Sequence, residues 1–523
     1  MGITGGRRSS VTVMEAVCRH AQDRPHSPAV SDRRRCLDYA GLREEVGLAA
    51  GALTRRGIGR GERIALHLPN GIDFLVLALA AGWMGATFVP LPVDAPAERI
   101  RMLVDDCAPS LVVTEKAPSP EHCGGVPAVD LPALHGESTR RPSAGGPEDD
   151  AYIIYTSGTT GVPKGVVIRH SSLLAALEDS VGALGLRPGS RSACIPPVHF
   201  DGSYVVLFGM LVAGGLVTLP PRDEIVFPRR FVGWIDGHAV DYVHLSPTFL
   251  RLLLGGRVLG RLVGGPLRIL ALGGEALSAA DITAVWRVLP GLSVFNQYGP
   301  TETTICVTHH ELTRSEVVPG EPVPIGRAHP GVSFHLLGDD GSPIRRPGVT
   351  GELWIGGDQL MRGYWRSPDL TAQVLRTDLV PGKTVYRTGD LARFDAEGRF
   401  TCLGRSDGVV KRRGTRISLL EVGGAFEVAP GVEAATAVRY GPDDECRIVL
   451  FVVAPGRTAE ELRSAGLRRL PATMMPDVIH LVDRLPVTSA GKLDTRRLLR
   501  EAGLGGAGRV AGGSACPSEP TSG

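Results

Sequence analysis

A chain of 523 residues exceeds what one hydrophobic core organises, so two or more domains are expected. With 43% hydrophobic and 21% charged residues its composition is that of an ordinary globular protein, and a net charge of +2 gives nucleic acid or an anionic membrane nothing to select. The nine cysteines are scattered without a C-x-x-C pair, which argues against a disulfide or zinc framework and for free thiols in a reducing cytosol.

Residues 1–10 lack the apolar core of a signal peptide, and a disordered N-terminus on a cytoplasmic protein is expected. From Arg63 strand-like and helix-like runs alternate: strand 64–68, helix 74–84, strand 87–91, helix 97–106, strand 111–113. That order predicts a parallel sheet with covering helices. Residues 74–93 carry no charge and could span a bilayer by length alone. Gly82, Gly85, Pro90 and Pro92 interrupt them, so a buried helix running into a buried strand is predicted instead.

Residues 115–148, rich in Pro, Gly and Ser, read as a surface excursion before a short strand at 151–155. The alternation resumes after 165 and continues through 267–272. Beyond about 320, shorter strands at 333–337, 351–355 and 399–403 predict a β-rich subdomain reaching to 404. The expected organisation is a large α/β domain over 11–404, with parallel-rich sheets and covering helices, and a small mobile α+β domain over 405–504. The latter has strands at 433–440 and 448–454, and a disordered tail follows at 505–523.

The string Thr156-Ser-Gly-Thr-Thr-Gly-Val-Pro-Lys-Gly165 follows the strand at 151–155. Such a turn brings backbone N–H groups close to a polyphosphate, and Lys164 adds a point charge. The spacing is not that of a Walker loop, because Gly follows the Lys. Only five of the 57 basic residues are Lys, at 116, 164, 383, 411 and 492, which leaves 52 Arg. Three of those five fall within notable strings. The other strings, in chain order, are Pro197-Val-His-Phe-Asp-Gly-Ser203, Asn296-Gln-Tyr-Gly-Pro-Thr-Glu302, Tyr386-Arg-Thr-Gly-Asp390, Gly404-Arg-Ser-Asp407, Val410-Lys-Arg-Arg-Gly-Thr-Arg-Ile417 and Ser489-Ala-Gly-Lys-Leu-Asp494.

Across residues 35–500 this series resembles the adenylate-forming superfamily of acyl-CoA synthetases, peptide-synthetase adenylation domains and luciferases. The resemblance implies that Thr156, Ser157, Gly158, Thr159, Thr160 and Gly161 hold the phosphates of ATP together with Lys164. It implies that Asn296 and Tyr298, in one turn with Gly299 and Thr301, contact adenine, and that Glu302 helps hold Mg²⁺. A hard cation shared between a carboxylate and phosphates suits that assignment. Asp390 would accept from the ribose hydroxyls, and Arg405 would approach the nucleotide. Asp407 would be the hinge, with Lys411, Gly414 and His199 serving transfer to a thiol. Lys492 would bridge the substrate carboxylate and the α-phosphate, where negative charge builds in the transition state. Ala490 stands where the family usually has Asn, which leaves Gly491 and Lys492 intact.

The string at 197–203 is similar to that of amino-acid-activating members, in which the Asp pairs with the substrate ammonium. A buried carboxylate is costly unless paired, so Asp201 argues for a cationic amine; its alternative role is to cap a helix beginning near Ser203. The implied pocket is Asp201, Gly202, Val205, His244, Leu270, Leu272, Gln297, Ile305, Cys306 and Lys492. Leu272, where the family often has Gly or Ala, would raise its floor and favour a small or medium neutral amino acid. Gly512-Gly-Ser514 lacks the flanking helices of a carrier site, so a free-standing enzyme that loads a separate carrier protein on its phosphopantetheine thiol is expected. A β-amino acid substrate of macrolactam-type pathways, an acyl- or aryl-CoA ligase on the same fold, and a retired enzyme that only binds remain open.

Overall fold

The computed structural model describes residues 12–117, 123, 125–134, 145–156, 163–319, 321–338, 340–405, 409–412, 415–441, 446–486 and 493–504. Two large sheets form the bulk of the fold. The first runs, strand by strand, Thr308–Glu311, Ser293–Tyr298, Ile269–Gly273, Tyr242–Leu245, Arg191–Ala193, Leu216–Thr218, Pro28–Ser31 and Cys36–Asp38. Only its two outermost strands are antiparallel to their neighbours. The second runs Gly363–Tyr364, Lys164–Arg169, Asp150–Thr156, Thr87–Pro90, Arg63–His67, Leu111–Thr114 and Ala128–Asp130. It is parallel from Asp150–Thr156 onward, as the alternation predicts.

The uncharged run is a helix, Ile72–Met84, that leads into the strand Thr87–Pro90. Apolar residues face every side of it because sheet and helices surround it. Gly85 ends it at φ 72°, where its N–H closes on the carbonyl of Ala81. A side chain there would press on the Gly145 backbone and Arg60. Among the described residues no helix is long and apolar enough to cross a membrane.

The residues 115–148 are more than an excursion. Within them Ala128–Asp130 pairs in parallel with Leu111–Thr114 and extends the second sheet. A third sheet is wholly antiparallel and contains Val332–Leu337, Gly351–Gly357, Lys383–Phe394, Leu375–Val380 and Phe400–Arg405. This matches the β-rich region expected beyond 320, except that Gly363–Tyr364 leaves it to pair with Lys164–Arg169.

The C-terminal part holds the hairpin Val409–Arg412/Thr415–Ser418 and the sheet Ala434–Tyr440, Arg447–Val453, Val478–Leu481, with a core of its own. It meets the helix Ala97–Cys107 through reciprocal ion pairs. Arg99, partly buried, binds the buried Glu421 at 2.7 Å, and Arg469 lies 3.5 Å from Glu98 at the surface.

The main core lies between the first two sheets. Phe88, Tyr152, Tyr204 and Phe208 pack there in edge-to-face and tilted pairs, with ring centroids 5.0–6.1 Å apart. Tyr204 and Phe208 belong to a helical stretch that starts at Gly202 and opens into a wider π turn over Val205–Gly209. Such turns concentrate at functional sites because they re-aim the side chains around them. The loop leading into this stretch is clamped by Asn70, whose amide donates to the Pro196 carbonyl at 2.8 Å and accepts from Val198 N–H at 3.0 Å.

Candidate active site

A cleft of about 2470 Å³ runs along the C-terminal ends of the parallel strands and reaches the C-terminal unit, whose Val410 and Leu419 help line it. That is well above the roughly 300–1,000 Å³ of a pocket for one small molecule. It has room for a nucleotide and a second substrate at the edge where open α/β sheets bind ligands.

The two ends of the phosphate loop, Thr156 and Lys164, face each other as register partners of an antiparallel pair. Ser157, Gly158, Thr159, Thr160 and Gly161 lie outside the described residues, as do Asp407, Gly414 and Lys492, together with the side chains of Arg405 and Lys411. The Lys164 ammonium stands 5.1 Å from the centre of the Tyr364 ring. The Tyr364 hydroxyl donates to Glu302 Oε1 at 2.9 Å. The misplaced strand Gly363–Tyr364 therefore joins the expected phosphate lysine to the expected metal carboxylate. Glu302 is buried. One hard carboxylate fits Mg²⁺, which takes its remaining ligands from phosphates and water.

Asn296, Tyr298, Gly299, Thr301 and Asp390 all line the cleft. Tyr298 donates its hydroxyl to Asp390 Oδ2 at 2.5 Å, which ties the first sheet to the third at the expected adenine and ribose positions. Asn296 donates to the Pro324 carbonyl at 2.8 Å. Gly299 is required by close approach, since a Cβ there would lie 2.5 Å from the Ile305 carbonyl oxygen and 2.6 Å from Cys306 Cα.

Asp201 lines the same cleft but does not cap the helix that follows it. Its backbone is already helical, and its side chain makes no capping bond. The carboxylate instead lies near the Thr301 hydroxyl and the Ile305 N–H, which favour its charged form, while Oδ2 is buried with no hydrogen-bond partner among the described residues. Burial raises its pKa to about 6, and the Glu302 charge adds to the rise. The Ile305 N–H reaches it because Thr304 and Ile305 both adopt positive φ, 59° and 68°. Two β-branched residues in that region are strained. Thr304 is held there by its hydroxyl, which donates to the Gln359 carbonyl at 2.6 Å.

The pocket beside Asp201 corrects one expectation. Gly202, His244, Gln297, Ile305 and Cys306 line the cleft, but Leu270 and Leu272 do not. Both leucines face the opposite side of the sheet, in the core with Val243, Leu245 and Val294. Side chains alternate along a strand, so a shift of one residue exchanges its faces. The residues in register with His244 and Gln297 are Ala271 and Gly273, and Leu272 raises no floor. Val205 is fully buried in the main core behind the cleft wall.

His199 lines the cleft with its ring against Phe200, centroids 4.3 Å apart. Burial pushes its pKa down to about 4, opposed by Asp94 and assisted by Arg99. That arginine is the one bound to Glu421. Reasoning from sequence missed Tyr364, the strained pair 304–305 and the Arg99–Glu421 contact. Tyr364-Trp365 was the available signal for the first, an aromatic doublet in a chain only 5% aromatic.

Replacing Tyr364 by Phe keeps the ring beside Lys164 and removes the hydroxyl from Glu302. A hydrogen bond to a charged group contributes about 1.5–3 kcal/mol. We expect kcat/KM for ATP to fall roughly tenfold or more, read by pyrophosphate exchange across a Mg²⁺ titration. Unchanged kinetics would show that the hydroxyl does not position Glu302.

Comparison with known proteins places these features in context. The model of the family described as AMP-binding enzyme matches residues 17–365. Phenyloxazoline synthase MbtB of Mycobacterium sp. (strain MCS) is 34% identical over 95% of this chain, which spans 42% of that protein's length. Novobiocin biosynthesis protein H of Streptomyces niveus is 33% identical, with 93% of this chain and 82% of the relative covered. Among solved structures, holo-PA1221, an NRPS protein containing adenylation and PCP domains bound to a vinylsulfonamide inhibitor, superposes with a TM-score of 0.83. It is 27% identical, with 94% of this chain and 85% of that one covered.

Proposed function

The chain belongs to the AMP-binding enzyme family, and on that premise we propose that it is an adenylate-forming ligase that activates an amino acid with ATP and Mg²⁺ and passes it to the phosphopantetheine thiol of a carrier protein. In the first step a carboxylate oxygen of the amino acid attacks the α-phosphorus, and pyrophosphate leaves. In the second the thiol sulfur attacks the acyl carbon of the aminoacyl-AMP, and AMP leaves. The observation that carries the amine is Asp201, a carboxylate with a buried, unpartnered oxygen at the cleft wall. An ammonium is the group that compensates it.

Residues 156–161 and Lys164 are assigned to the phosphates, Asn296 and Tyr298 to adenine, Asp390 and Arg405 to ribose and phosphate, and Glu302 to Mg²⁺. Lys492 is assigned to the transition-state charge between carboxylate and phosphate. We further assign 11–404 and 405–504 as domains that rotate about Asp407 between the two steps. Rotation would bring Lys411 and Gly414 to the thiol route beside His199. Support for that reading comes from the hairpin Val409–Arg412/Thr415–Ser418, whose Val410 already lines the cleft.

ATP–pyrophosphate exchange with α-amino acids, β-amino acids and the matching acids that lack the amine tests the proposal. Exchange with amino acids alone is expected. Exchange driven equally well by the amine-free acids would remove the role of Asp201 and leave a CoA-ligase chemistry in its place.

A further inference from the structure

We propose that His244, held by Gln297, reads an uncharged hydrogen-bond donor on the substrate's side chain, a hydroxyl or an N–H; this rests on the amino-acid reading above. His244 sits on the strand Tyr242–Leu245 and lines the cleft, while its neighbour Val243 belongs to the core behind. Its Nδ1 is hydrogen-bonded to Gln297 Oε1. An amide oxygen only accepts, so Nδ1 carries the proton. The Gln297 amide nitrogen and the Tyr242 hydroxyl are both buried, with no hydrogen-bond partner among the described residues.

Burial lowers the His244 pKa to about 4, so the ring is neutral at working pH. A neutral imidazole protonated at Nδ1 has its lone pair on Nε2. That nitrogen would lie 3.5 Å from a Cβ at Gly202, the residue next to Asp201. An amino acid anchored by its ammonium at Asp201 thus projects its side chain toward an acceptor. The surroundings reinforce the neutral character. His309, directly opposite Gln297 on the neighbouring strand, is held far below the usual histidine range by burial and by His329, whose Nε2 is 2.7 Å from its Nδ1. Glu275, another carboxylate of the cleft, is taken by the N–H and hydroxyl of Thr248 at 2.9 and 2.8 Å. Among the described residues no carboxylate or guanidinium acts on the His244 ring, whose pKa is set by burial and Gln297.

A hydrocarbon side chain would cover Nε2 and leave it dry and unpaired, and a site built to pair a donor rejects the analogue that lacks one. The test is pyrophosphate exchange with pairs of amino acids equal in size and differing in the donor: threonine and valine, serine and α-aminobutyrate, tyrosine and phenylalanine, asparagine and leucine. We expect the best substrate to be the donor-bearing member of its pair, favoured in kcat/KM on the order of 10²-fold or more. In His244→Leu that ratio should fall to near unity or invert. In Gln297→Leu, where the ring loses its orientation, it should fall part of the way. A purely structural role would lower both members of a pair equally and leave the ratio intact, which overturns the inference. A wild-type preference for the hydrocarbon member also overturns it and leaves the amino-acid reading standing. Exchange with amine-free acids alone defeats that reading and the inference with it.

Discussion

On the proposed amino-acid reading, replacing Asp201 by Asn should remove activity toward the amino acid while leaving the hold on ATP. The substitution preserves shape and the contacts from Thr301 and Ile305 but removes the charge. Losing one partner of a buried pair typically costs about 3–5 kcal/mol, so kcat/KM for the amino acid should fall on the order of 10²-fold or more. The KM for ATP should stay within a few-fold, because Tyr298 and Asp390 are untouched. The pH profile is the sharper signature. The native carboxyl titrates near 6, so the wild-type KM for the amino acid should rise about tenfold per pH unit below that value. The variant should lack this limb. Stability changes in the opposite sense. Between the unfolded value of 3.8 and about 6 the native state binds more protons, so the substrate-free protein loses stability as pH rises through that window. The asparagine variant does not, and its Tm at pH 7.5 without ligand should exceed the wild type's. A lower Tm with an unaltered KM would return Asp201 to a structural role.

Gly299→Ala should damage both halves of the site at once. The added Cβ meets backbone atoms, the Ile305 oxygen and Cys306 Cα, that cannot move aside as a flexible side chain would. The turn carrying Thr304 and Ile305 must shift, and with it the N–H that supports Asp201. Overpacking of this kind costs about 1–3 kcal/mol of stability. Displacement of a positioning group by about 1 Å costs on the order of 10²-fold in rate. Calorimetry and pyrophosphate exchange on one preparation check both effects. Gly182→Ala is the control, since a side chain there enters open space on the exposed face of the helix His170–Leu184. It should be neutral or stabilising by about 1 kcal/mol. Equal behaviour of the two variants would mean that the contact at Gly299 yields easily.

Much of the first two sheets was legible because their strands are short apolar runs between helices of matching period. The helix expected at 97–106 is Ala97–Cys107, and the strand expected at 111–113 is Leu111–Thr114. The alternative role of Asp201 as a helix cap is not realised, because its backbone is already helical and its side chain makes no capping bond. The placement of Leu270 and Leu272 in the pocket failed for a simpler reason. Both faces of the strand Ile269–Gly273 are buried, so its sequence shows no alternation of polarity to say which face meets the cleft. Tyr364 escaped because its strand of two residues pairs with a partner about 200 positions earlier, beyond the reach of any local pattern. The His309–His329 contact is likewise a product of tertiary packing.

The positive φ at Ile305 bears on how such a pocket can be remodelled. His244 and Gln297 stand on regular strands, where a new side chain changes shape and polarity and little else. Ile305 is a pocket wall and also part of a loaded turn whose N–H lies near the Asp201 carboxylate and favours its charged form. A glycine or asparagine installed there would relax the backbone as well as enlarge the space. Variation at 305 therefore couples the choice of side chain to the grip on the amine, and new specificities are reached most directly through the strands.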